Sequence, residues 1–188
     1  YIMAGTLSVS HIQGLATHSS PTTVSVASGH KLHAPGHIIQ CVKMPPINTL
    51  ISTSTSSFIT TNLTGTITPQ LSDSKIYITF LIHSKVRSSE DMGMGFRIMR
   101  SIGGATATAI WTSTTNYENY AYDGGSGDSQ IVDKRDRVPI FWEDTPSSTA
   151  ACAYTLYYAV YNETNDNPNP SVHADNNYSF GHLMEVAA

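Results

Sequence analysis

Histidine can bind metals and move protons near neutral pH, and the chain has eight. His30, His33 and His37 follow one another at spacings of three and four. A helix would put those rings on one face, but Pro35 and Gly36 interrupt the run and deny a helix there. The three then read as solvated polar residues beside a turn. The metal alternative has copies of His33 or His37 meeting on a symmetry axis, and no cysteine or carboxylate stands beside them to complete a zinc set. No metal and no cofactor are expected.

Other reactive patterns are thin. Asp123-Gly124-Gly125-Ser126-Gly127-Asp128 lacks the alternating oxygen ligands and terminal Glu of a calcium loop, so it reads as a loop tip. No Gly-x-Ser-x-Gly elbow and no Gly-rich phosphate loop with a following Lys occurs. The carboxylates Glu90, Asp91, Asp123, Asp128, Glu143 and Asp144 fall mostly in turns. The sequence pairs none of them across a cleft, as glycoside hydrolysis would need. The expectation is a protein without catalytic activity.

The stretch Trp111 to Arg137 differs in kind. Trp111, Tyr117, Tyr120 and Tyr122 stand among Asn116, Glu118, Asn119, Asp123 and Asp128. Rigid amphipathic rings mixed with hydrogen-bonding side chains are the composition of binding loops, suited to a sugar or a protein surface. Trp111, Tyr117, Tyr120, Tyr122, Asp123 and Asp128 are therefore the candidate receptor-binding residues. The alternative is that the tyrosines pack the loop onto the sheet or onto a neighbouring subunit.

The elements that would position this loop are strands. His37–Met44 is the first, stopped by Pro45-Pro46, and Ser57–Thr61 and Leu63–Thr68 follow as two more. Ser74–Ser84 is the strongest. Ile76, Ile78, Phe80 and Ile82 line one face, and Tyr77, Thr79 and Leu81 line the other. With both faces apolar it belongs in the middle of a sheet. Gly95–Ile102, Ala107–Thr112 and Val138–Trp142 come next, then Ala150–Asn162, where Cys152, Tyr154, Leu156, Tyr158 and Val160 share a face. Asn177–Val186 closes the series, and Ser113 to Arg137 reads as one long loop without apolar periodicity. No sustained helical stripe with caps occurs. The pattern predicts an all-β chain, an antiparallel β-sandwich of jelly-roll type with an extended N-terminal arm.

The arm spans residues 1–35 and the sandwich residues 36–188. Thr23–Ala27 alternates like a strand but is too short and polar to build a core. The arm is expected to anchor on another chain. The hinge between the two is Ala34–Val42, where Pro35-Gly36 turns the chain.

Composition narrows the partners. The 188 residues are 40% hydrophobic and 13% charged with net charge −4. That charged share is about half the usual one, and Ser and Thr replace it. No basic block supports nucleic-acid binding. No apolar run reaches the length of a membrane span, and the first residues lack the basic-then-apolar pattern of a secretory signal. Cys41 and Cys152 both lie in apolar strand-like runs and read as two buried thiols, with one disulfide between them as the alternative.

Several motifs carry a resemblance. Ser28–Leu32 with Ala34–Val42, Ser54–Phe58, Leu63–Pro69, Ser74–Ile78, Phe141-Trp142-Glu143-Asp144-Thr145-Pro146 and Leu183–Val186 are similar to segments of virion fibre and appendage proteins of marine tailed phages. The resemblance runs roughly from His30 to the end of the chain. It implies a non-enzymatic virion protein, a fibre or spike tip or a small appendage, assembled as a homotrimer. It brings no receptor residues with it. The reading that follows is a tail-fibre-like appendage knob on the virion, held to other virion proteins by its arm and touching a host surface glycan or protein. A decoration or connector protein is the alternative, with a carbohydrate-binding module behind it.

Overall fold

A computed structural model describes residues 34–88, 92–113, 118–121, 132–162 and 170–188. The chain divides into Tyr1–His33 and Ala34–Ala188, so every described residue belongs to the second unit. The N-terminal arm and His33 lie outside the described residues.

The strands are β1 Ile38–Lys43, β2 Ile51–Ser52, β3 Ile59–Ile67, β4 Lys75–Ser88, β5 Met92–Ile102, β6 Thr108–Thr112, β7 Asn119–Ala121, β8 Val132–Asp144, β9 Cys152–Asn162, β10 Ser171–Val172 and β11 Phe180–Val186. One sheet runs β8-β4-β11-β1, with short β10 and β2 extending the β11 side. The other runs β3-β9-β5-β6, with β7 also on β5. Four antiparallel pairs nest along the chain: β1 with β11, β3 with β9, β4 with β8, and β5 with β6. Alternate pairs fall in opposite sheets, which is how a long hairpin rolls into a jelly roll. The all-β sandwich expected from the strand pattern is the fold observed. A 3₁₀ turn at Ala174–Asn176 is the helical content of the described residues.

Period-two alternation builds the core. On β4, Ile76, Ile78, Phe80 and Ile82 point inward and are fully buried, opposite Leu63 and Ile67 of β3, Phe96 and Ile98 of β5, and Tyr154, Leu156 and Tyr158 of β9. Strands β4 and β9 are central, each paired on both edges.

Three expectations need correction. The two strands Ser57–Thr61 and Leu63–Thr68 are one, β3, with a register shift between Thr60 and Thr64 and a left-handed Asn62 at φ 61°. Asn tolerates that backbone, and the irregularity keeps pairing with β9 on both sides of it. The loop from Ser113 to Arg137 is not wholly loop. β7 pairs with β5, and β8 begins at Val132 and pairs with β4 over thirteen residue pairs. Asp133-Lys134-Arg135-Asp136-Arg137 lacks an apolar signal because, among the described residues, β8 pairs on one side only, where charge and Pro139 are tolerated. Cys41 is exposed on edge strand β1, whereas Cys152 is buried, and both are free thiols.

The hinge closes against the far end of the chain. Ala34-Pro35-Gly36-His37 is a turn in which the His37 N–H donates to the Ala34 carbonyl at 3.1 Å and Gly36 takes φ 82°, the type II pattern. The Gly36 N–H donates to the Ala187 carbonyl at 2.8 Å. After β1, fully buried Met44 wedges between the sheets. It fits because Gly65 on β3 and Gly181 on β11 have no side chain. A Cβ at Gly181 would stand 2.5 Å from the Thr79 carbonyl oxygen and 2.7 Å from the Met44 sulfur. The flexible thioether can yield, but the β4 backbone cannot. Gly181→Ala should therefore destabilise the fold by about 1–3 kcal/mol, read as a lower urea midpoint at unchanged m value.

Candidate interaction surface

Alternation that buries one face of the first sheet turns the other outward. On that outer face Tyr77 of β4 stands between Glu143 of β8 and Met184 of β11, and Thr79 stands between Phe141 and His182. Phe141 is 69% exposed and Tyr77 38% exposed. Tyr77, Thr79, Phe141, Trp142, Glu143 and Met184 line an open groove of roughly 400 Å³. Its wall is mainly apolar. Contiguous exposed apolar surface of this kind marks contact with another molecule. One polar feature sits at its edge. Lys75 Nζ donates to Glu143 Oε1 at 2.7 Å, and with Tyr77 it holds the Glu143 carboxyl below its usual range.

The sequence pattern of β4 anticipated a strand apolar on both faces, and it is central in its sheet. Its Tyr77 face, however, is open rather than covered. The signal for this surface was present as the adjacent aromatics Phe141 and Trp142, since neighbouring strand residues face opposite ways and one must point out.

What aims Phe141 outward is the residue three places on. Asp144 faces inward, 8% exposed, and crosses to the second sheet. Its two carboxylate oxygens accept from Arg100 Nη1 of β5 at 2.7 and 2.9 Å, and its Oδ2 also accepts from the Tyr154 hydroxyl of β9 at 2.8 Å. Burial raises the Tyr154 hydroxyl's pKa well above its ordinary value, reinforced by the hydrogen bond to Asp144, so it stays a donor. Two residues earlier Trp142 also turns toward the second sheet, its ring centroid 6.3 Å from that of Trp111 on β6. With Trp142 and Asp144 committed inward, Phe141 and Glu143 must face out.

Among the candidate receptor residues, the structure places Trp111 and Tyr120. Trp111 sits opposite Ile98, half-buried against the core. Tyr120 sits opposite Gly93, between the inward-facing Met92 and Met94, and so faces the other side of the sheet. Five residues along β5 separate their partners, about 16 Å. The two are therefore not brought together in one site. Tyr117, Tyr122, Asp123 and Asp128 lie outside the described residues. His37 is taken up by its own turn, with Nδ1 2.8 Å from the Ala34 carbonyl. Among the described residues no three His, Cys, Asp or Glu side chains are grouped to hold a metal.

Removing the carboxylate leaves Arg100 and the Tyr154 hydroxyl without their shared acceptor. Asp144→Ala should lower stability by about 3 kcal/mol, at the low end for a broken buried pair because Arg100 keeps part of its side chain in water. Tyr154→Phe should cost only about 1 kcal/mol. Chemical denaturation of both variants checks the order.

No family model and no curated protein matches the chain. Among solved structures, a chain in "Structure of infectious bursal disease virus Gx strain" aligns over 89% of this chain and 42% of its own length, at 12% identity and a TM-score of 0.36. This chain therefore spans less than half of that neighbour. The jelly roll described above rests on the strand pairing observed in this protein itself.

Proposed function

We propose that the chain is a non-enzymatic structural protein of a virus particle, assembled as a homo-oligomer through the outer face of its first sheet. The observation that carries this reading is the groove beside Tyr77, Phe141 and Met184, an apolar surface left open on a stable jelly roll. A charge-poor, hydroxyl-rich composition supports it, because 13% charged residues leave little electrostatic repulsion between copies. The likeness of the hinge, first strands and closing strand to tailed-phage appendage proteins supports a place on a virion. A homotrimeric fibre or appendage knob anchored by residues 1–35 is the specific form of the proposal.

The carbon skeleton of Phe141 would lie in the contact, so Phe141→Glu introduces a charge with no partner there. The wild-type chain should sediment as a trimer at micromolar concentration and the variant as a monomer with unchanged β content. A wild-type monomer, or a variant that still assembles, sinks the assembly surface.

Host attachment is assigned to residues 122–131, which carry Tyr122, Asp123 and Asp128 and connect β7 to β8. Repeated copies would add weak contacts into useful avidity. Particles carrying a 122–131 deletion should keep the protein at full occupancy but lose adsorption to host cells. Undiminished adsorption would exclude the loop.

A further inference from the structure

The corner Ser171–Ser179 is fastened to three strands at once. On β4, the backbone of His83 does most of the work: its N–H donates to Ser179 Oγ at 2.9 Å and its carbonyl accepts the His173 N–H at 2.8 Å. On β3, the His173 ring Nε2 donates to the Thr61 carbonyl at 2.7 Å. On β8, Arg135 Nε donates to Asp175 Oδ2 at 2.7 Å.

Two features make this fastening conditional. His173, Asp175 and Asn176 all hold left-handed backbones, at φ 58°, 56° and 58°. That conformation is uncommon outside glycine, and the surroundings must hold three instances of it within four residues. The second feature is the ring. His173 is fully buried, Nε2 must carry the proton to reach Thr61, and Nδ1 has no partner among the described residues. A second proton would create a buried cation with an unanswered N–H.

We propose that this corner is an acid-released clasp, with His173 as the group whose protonation lets it go. The charged surroundings agree. From β3 the neutral Thr61 carbonyl faces the ring. From β4 comes His83, buried, its Nδ1 also without a partner among the described residues. β8 brings Arg135 and Arg137 against His83, and Asp175 of the corner opposes them. Lys85 lies next on that face, within 3.7 Å of Asp133. Asp175 is already engaged by Arg135, so among the described residues no free carboxylate faces His173 to welcome a proton.

Burial holds both histidines below their ordinary pKa, His83 further so by Arg137 and His173 by its neighbour His83. The released corner would titrate near the ordinary value of about 6.5. The open state therefore binds more protons below that pH, and closure weakens as pH falls through it. Glu185 works in a separate window. Its hydrogen-bonded carboxyl is held low despite burial, so its contribution is lost only in the more acidic carboxylate range.

Hydrogen exchange of the backbone amides tests this on the intact chain. From about pH 7.5 to about pH 5.5, protection factors at the His173 and Ser179 amides should fall, by up to about tenfold for each histidine released, while β9 amides keep theirs. Unchanged protection at the corner, or parallel loss in β9, overturns the proposal. His173→Asn keeps a residue that accepts the left-handed backbone and should remove most of the pH-dependent fall; persistence of the full fall there overturns it. In His83→Gln, which decides the matter if the first variant does not fold, a fall in protection with pH should remain. Its complete loss would make His83 the sensor instead.

Discussion

Asp144 holds the two sheets in one relation. A single carboxylate on β8 accepts from Arg100 on β5 and Tyr154 on β9, bonding one layer to two strands of the other. Sheets packed by apolar side chains alone can slide, because dispersion is not directional. A charge-assisted contact, in which Arg100 Nη1 meets both carboxylate oxygens, is directional. It specifies which residues of β8 face in, and a slip of one residue would turn Phe141 and Glu143 into the core and swing Trp142 away from Trp111. The open aromatic surface is thus a consequence of a buried polar contact on the other side of the same strand.

A second carboxylate does comparable work at the hinge. Fully buried Glu185 accepts from Gln40 of β1, the Gln70 and Leu71 amides, and the Ser74 hydroxyl. Desolvation pushes its pKa upward, but four donors outweigh that and the net shift is downward. Glu185 thereby joins the closing strand to the first strand and to the β3–β4 connection. With Met44 seated on Gly65 and Gly181, and the Pro35-Gly36 turn bonded to Ala187, the point where the domain begins is tied to where it ends. A jelly roll needs this tie, since its first and last strands must pair across the whole length of the chain.

The two carboxylates and the histidine corner divide the molecule by consequence. Both carboxylate oxygens of Asp144 and of Glu185 accept hydrogen bonds, and the two residues act as fixed points. His173 has one ring nitrogen answered and one not, on a backbone that is strained. Buried polar groups in the first condition confer rigidity and those in the second are places where a structure gives way.

Alternation along β4 and β9 was enough to identify both long strands, their inward residues and an all-β sandwich, because period two is a local property that burial rewards directly. The hinge turn was equally legible, since Pro35 and Gly36 act on their own dihedrals. Other features depended on partners distant in the chain. Strand β8 begins in a charged stretch because β4 pairs with it, Cys41 is exposed because β1 is an edge, and Trp111 and Tyr120 part company because adjacent pairings put them on opposite faces. Which face of β4 stays open depended on distant partners for the same reason. Apolar residues on both sides announce a strand's place in a sheet, but only the packing of the second layer decides which side is covered.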